Sequence, residues 1–200
     1  MGLTIKGGGD YKPHPAGPCA GLCVDVVDMG LKTTKFGVKD HVRIVWLTSE
    51  TVEVDGDERP AMVSVTMTKT LGKDSNLRKL LEGWRGKPFT NDELRDGFDI
   101  ESLVGAPTLL NIMHRQSADG SKTYANVASA SRLPKGMYSE LPVLAEGDYV
   151  RVADRAPHER EEYLARFRGD SPAPAAAAPS KPKKSAMQAI EEGEDDDLPF

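Results

Sequence analysis

Two thiols, Cys19 and Cys23, and the imidazoles of His14 and His41 or His114 are the residue types that hold zinc. Their arrangement does not suit it. The cysteines are separated by three residues at the start of a strand-like run, and no second matched pair follows. Both therefore read as small buried hydrophobes. Asp25 and Asp28 could share a divalent cation only from one face, and a spacing of three in a strand points them apart. Gly72-Lys73-Asp74-Ser75 resembles the end of a phosphate loop but lacks the upstream glycine, so it reads as a turn into a helix. Gly7 to Gly9 read as a plain flexible start. No Gly-x-Ser-x-Gly, His-Glu-x-x-His, Walker or dinucleotide pattern is present. No catalytic residue, metal ligand or cofactor is expected.

The remaining chemistry is that of binding. Lys32, Lys35 and Lys39 gather around Phe36 in an expected loop between the first two strand-like runs, and Arg43 precedes Trp46 in the second. Further on come Lys69 and Lys73, then Arg78, Lys79, Trp84, Arg85 and Lys87, and finally Arg115, Lys122, Tyr124 and Arg132. Cations interleaved with aromatics suit a single-stranded nucleic acid, because the cations track phosphates while flat rings stack on unpaired bases. A blander reading stands beside this one. Trp46 alternates with Val42 and Ile44, and Trp84 completes an apolar helix face, so each is either a core or a stacking residue. Tyr124, close to Lys122 and Asn126, is the better stacking candidate.

Five runs have strand character, residues 21–29, 41–48, 61–68, 108–115 and 122–130. In the third, Ala61, Val63, Val65 and Met67 fall on one face and Met62, Ser64, Thr66 and Thr68 on the other, which predicts a sheet buried on one side. Leu77, Leu80, Leu81 and Trp84 follow helical spacing, with Asp74 or Ser75 as cap. Thr90 and Glu93 have capping-box spacing, and residues 98–104 are expected to form a turn or short helix. After Pro157, residues 158–168 predict a last helix with Tyr163, Leu164 and Phe167 on one side, packed on the sheet or on a second subunit. The expected fold is mainly β: three strands, a helical insert, then two strands. This is the element order of the five-stranded, partly open Greek-key barrel known as the OB-fold.

Residues 169–185 hold four prolines and no aromatic or β-branched residue, which predicts an extended, disordered linker. The formal net charge is −5, but residues 191–200 carry six acidic side chains and no basic one, so the other 190 residues sum to +1. A near-neutral body with an acidic end is compatible with a polyanion partner. The expected organisation is a binding domain over residues 1–168, a linker over 169–190 and an acidic, partner-binding tip over 191–200. No apolar run reaches the ~18 residues of a membrane span. The start lacks the pattern of a secretory signal, and two cysteines make no disulfide framework, so a cytoplasmic location and no membrane partner are expected.

The tip reads Asp195-Asp196-Asp197-Leu198-Pro199-Phe200. It resembles the C-terminal tip of bacterial single-stranded DNA-binding proteins, with Leu198 in place of isoleucine. That resemblance implies that Phe200 fills an apolar pocket on a replication or recombination protein, its carboxylate meets a cation, and Asp195 to Asp197 engage the basic rim. The body carries Tyr11-Lys12-Pro13-His14-Pro15-Ala16-Gly17, Leu77-Arg78-Lys79-Leu80-Leu81-Glu82-Gly83-Trp84-Arg85-Gly86-Lys87, Tyr124-Ala125-Asn126-Val127 and Leu133-Pro134-Lys135-Gly136. These resemble phage-encoded OB-fold single-stranded DNA-binding proteins, which implies coating of single-stranded DNA during viral replication or recombination inside a bacterium. Two rivals stay open: an adaptor or DNA mimic that does not bind single strands, and a metal-dependent nuclease or deaminase-like enzyme.

Overall fold

A computed structural model describes residues 13–34, 37–54, 57–144 and 149–168. Five antiparallel strands, β1 (Gly17–Thr34), β2 (Gly37–Val54), β3 (Asp57–Thr68), β4 (Pro107–Gln116) and β5 (Thr123–Ser131), form one sheet in the order β3-β2-β1-β4-β5. The long β1 bridges its two halves. Its N-terminal part, Gly17 to Leu22, pairs with β4, and residues from Gly21 to Thr34 pair with β2. Bulges between Cys23 and Asp25 and between Asp28 and Gly30 bend it, as an extra residue in one strand does. The sheet is not closed: β3 and β5 remain its two edges.

The alternation read in the third strand holds. Ala61 and Val63 are buried and Val65 and Met67 half-buried, while Met62 and Thr66 are exposed. The inward rows of all five strands meet α1 (Asn76–Arg85), whose Leu77, Leu80, Leu81 and Trp84 enter the core. Ser75 caps it by accepting from the Arg78 N–H, and Gly86 ends it in the left-handed region (φ 69°) that a Cβ disfavours. Thus Gly72 to Ser75 are indeed a turn into a helix. The helix crosses from β3 to β5, and the indole N–H of Trp84 donates to the Pro107 carbonyl at 2.8 Å. Next, α2 (Asn91–Asp96) starts with the Thr90/Glu93 capping box, and a 3-10 turn covers Ile100–Leu103.

Trp46 and Trp84 lie 5.6 Å apart, ring centre to ring centre, inside this core. Of the two readings of the tryptophans, the structure selects the core one: neither ring has a face turned to solvent. Cys19 and Cys23 sit in the same cluster as free, buried thiols.

The other face of β1 is covered as well. Val24, Val45 and Leu47 pack with Tyr149, and Val27 and Met29 pack with Val152 and α3 (Pro157–Arg168) through Leu164, Tyr163 and Phe167. The last helix therefore packs on its own sheet. Asp25 holds the segment down. Fully buried, its carboxylate accepts from the Tyr149 hydroxyl (2.9 Å), the Val152 N–H (2.8 Å) and Arg151 Nε (3.4 Å). Arg151 also reaches Glu101 at 2.9 Å. Asp28, by contrast, is exposed, so the two aspartates do point apart.

Candidate nucleic-acid interface

The segment joining the first two strands is not a loop. The β1–β2 ladder continues through Leu31↔Asp40, Lys32↔Lys39, Thr33↔Val38 and Thr34↔Gly37, four rows past the His41↔Thr68 row where β3 ends. Repeated Lys, Thr and Gly gave this ribbon the look of a loop, yet cross-strand pairing carries it as far as Thr34 and Gly37. Lys32 and Lys39 stand directly opposite each other, an arrangement of like charges that opposes pairing unless an anion lies nearby. Leu31 and Val38 are exposed on the ribbon's other face. Lys35 and Phe36 lie outside the described residues, as do the linker and Asp195, Asp196, Asp197, Leu198, Pro199 and Phe200.

A second ribbon stands at the opposite end of β1. Since Gly17 pairs with Ile112, the rows Met113↔Asn126, His114↔Ala125, Arg115↔Tyr124 and Gln116↔Thr123 run beyond the start of β1. Opposed residues share a face, so Met113, Arg115, Tyr124 and Asn126 form one outward patch. The ring of Tyr124 is 47% exposed and Met113 is 57% exposed. Arg115, Asn126 and Lys122 are also exposed. At the tip, Asp119 accepts from Ser117 and Ser121, which hold its carboxyl down at about 2 and fix the turn. Met113 was missed by the sequence reading. Its signal is the alternation with buried Ile112 and Leu110, which assigns it to solvent despite its apolar side chain.

Other cations are already engaged. Lys69 bridges Asp28 (2.7 Å) and Asp40 (3.6 Å), and that contact holds the Asp28 carboxyl below the usual range. Arg85 pairs with Glu93 and lies over the rings of Phe89 and Phe98, so it braces the helical insert and is turned away from solvent. Arg43 projects from β2 on the face covered by α3. It donates to Ser64 Oγ at 2.6 Å, and its guanidinium lies 3.7 Å from the centre of the Phe167 ring. Lys73, Lys87 and Arg132 are exposed and belong to neither ribbon, standing at the turn before α1, after its cap and after β5.

A cleft of about 660 Å³ opens beside the first ribbon, lined by Val38, Lys39, His41, Met67, Lys69 and Ser75 among others. A smaller one of about 470 Å³ lies where β3 and β5 fail to join, between Met67, Leu80, Gly83 and Ala128.

The residues weighed for zinc do not converge. His14 is bonded to the Pro15 carbonyl and to Thr48 Oγ1, each at 2.7 Å, and His114 Nε2 donates to the His14 carbonyl. Burial pushes the Cys19 thiol up to about 11 and the Cys23 thiol up to about 12, away from the thiolate a metal needs. Among the described residues no group of three or more His, Cys, Asp or Glu is placed to hold a metal, and no helix is long and apolar enough to cross a membrane.

What the arrangement offers is two basic ribbons at the two ends of β1, one with an exposed tyrosine, separated along that strand by roughly 55 Å of contour at about 3.3 Å per residue. No protein-family model matches this sequence, and a search of curated proteins finds no match either.

Proposed function

We propose that this chain is a single-stranded DNA-binding protein whose body is an OB-type barrel left open at one seam. The strand order supports the fold: pairing β3 with β5 would close β3-β2-β1-β4-β5 into a ring, and α1 spans the place where that pairing is missing. The observation that carries the function is the outward patch of Tyr124, Met113, Asn126 and Arg115. An aromatic ring half in solvent among a thioether, an amide and a guanidinium, and outside the core clusters, has the chemistry that holds an unpaired base and its phosphate.

On this reading Lys32, Lys39, Arg115 and Lys122 track phosphates, and Tyr124 stacks on a base. Lys35 and Phe36 are assigned to the same role from the sequence alone, and Lys73, Lys87 and Arg132 contribute to the field around it. No bond is made or broken, so no cofactor is required. Asp195 to Phe200, by their resemblance to the bacterial tip, recruit replication or recombination enzymes, and the body's resemblance to phage-encoded proteins supports a role on phage DNA in a bacterial cytoplasm.

A fluorescence titration with labelled oligo-dT, with and without magnesium, tests the proposal. Saturable binding independent of magnesium supports it. Absence of binding would favour the adaptor or DNA-mimic reading, and magnesium-dependent shortening of the strand would favour a nuclease.

A further inference from the structure

We infer that Arg43 and Ser64, with the exposed Lys32 at their edge, form a further phosphate-and-base subsite that α3 keeps covered at Arg43, with the Phe167 ring standing where a nucleobase would stack. The inference rests on the single-strand-binding reading above and concerns the regulation of that same surface.

Arg43 is on the central part of β2, facing away from the core, with Ser64 of β3 beside it. Among the described residues neither Arg43 nor Lys32 is in an ion pair with a carboxylate. Both are instead satisfied by one residue near the end of α3. The Phe167 ring lies on the Arg43 guanidinium, and the Phe167 carbonyl accepts from Lys32 Nζ at 3.0 Å. A flat ring on a guanidinium with a carbonyl oxygen on a nearby ammonium is the pattern that a stacked base and its polar edge or phosphate would present.

The fit is incomplete in a telling way. Arg43 Nε is buried and has no hydrogen-bond partner among the described residues, and burial pulls the guanidinium's pKa below its ordinary value. A buried, unpaired donor is a cost that an anion would remove. The cover itself is shallowly held. Among the described side chains of the helix Leu164 alone is buried, and Asp25 anchors the chain at Tyr149 to Val152, upstream of the helix. The helix can therefore lift without unpicking the Asp25 anchor or the core around Trp46. Displacing it would open a path between the first ribbon and the outer face of β3, where Met62 and Thr66 are exposed.

The test is a set of four full-length proteins, wild type, Phe167→Ala, Arg43→Gln and the double variant, titrated with oligo-dT over a salt series. Circular dichroism and thermal melts verify that each is folded. Phe167→Ala is expected to bind at least threefold tighter. Its log-affinity against log-salt slope should be steeper by about 0.7, the increment for one added phosphate contact on a single strand. Adding Arg43→Gln should abolish both gains, whereas Arg43→Gln alone should change little, since the cover already hides that residue. Unchanged or weaker binding by Phe167→Ala, or a gain that survives Arg43→Gln, overturns the covered subsite while leaving the single-strand reading intact. Failure of all four proteins to bind oligo-dT overturns both.

Discussion

Replacing Asp25 by asparagine preserves volume and removes one charge at the anchor of the C-terminal segment. The carboxylate is fully buried and takes three donors, from Tyr149, Val152 and Arg151. An asparagine can keep its oxygen toward Tyr149 and Val152, but its amide nitrogen then confronts Arg151 Nε, 3.4 Å from the atom it replaces. Two charge-assisted bonds become neutral, at about 1 kcal/mol each, and a partly buried guanidinium loses its buried partner. The sum is about 3 kcal/mol, at the low end of what breaking a buried pair costs. For a chain of this size that corresponds to a fall in Tm of roughly 6 to 12 °C. The loss should also be local, with residues 149–168 losing protection from a protease before the sheet does. Urea denaturation followed by Trp46 and Trp84 fluorescence, with limited proteolysis in parallel, measures both. A loss under about 1 kcal/mol with unchanged cleavage would refute the claim that this carboxylate fastens the segment.

Three further outcomes follow from geometry. A Cβ on Gly83 would meet the Ala130 carbonyl oxygen at 2.7 Å, so Gly83→Ala should lower stability despite a helix-propensity gain of about 1 kcal/mol, because forcing α1 off β5 costs about 1 to 3 kcal/mol; a stabilised variant in thermal melts would show that the contact yields. Cys23 keeps its proton in the native state up to about 12, against 9.0 for an ordinary thiol, so the unfolded chain loses protons first as pH rises. Stability should therefore be full below pH 9 and fall from there toward pH 12, with a shallower fall in Cys23→Ala, as urea titrations at successive pH values would reveal. Tyr124→Ala should weaken oligo-dT binding by the worth of one stacked base, about 1 to 3 kcal/mol, with no change in Tm, since the ring packs on nothing in the core; equal affinity in a fluorescence titration would remove Tyr124 from the interface.

Local periodicity made the centres of all five strands and α1 readable, because those residues alternate or recur in step with the faces they bury. Val42, Ile44 and Trp46 in strict alternation made a core position one of two readings for Trp46, which the packing then selected, and Thr90 with Glu93 marked α2 by a purely local bond pattern. What sequence hid was long-range. The run Val24, Val26, Val27 and Met29 reads as one strand, but its burial on both faces depends on Tyr149, Val152 and Leu164, more than a hundred residues away. Spacing alone sets Asp25 in that run aside as a metal ligand, but its actual partners are equally distant and left no sequence signal. Arg43 and Arg85 have the composition of phosphate contacts, yet Phe167 and Glu93 engage them, which only tertiary packing decides. The ribbon around Lys32 and Lys39 was legible as basic and illegible as paired, since cross-strand hydrogen bonds leave no mark in a Lys, Thr and Gly sequence.

The central claim is that two basic ribbons and an exposed tyrosine bind unpaired strands through phosphates and bases. The affinity of the whole chain for oligo-dT across a salt series measures it most directly. Four cations, Lys32, Lys39, Arg115 and Lys122, predict saturable binding whose log affinity falls with log salt at a slope of about −3. Binding that ignores salt, or no binding at the lowest salt, would contradict the account.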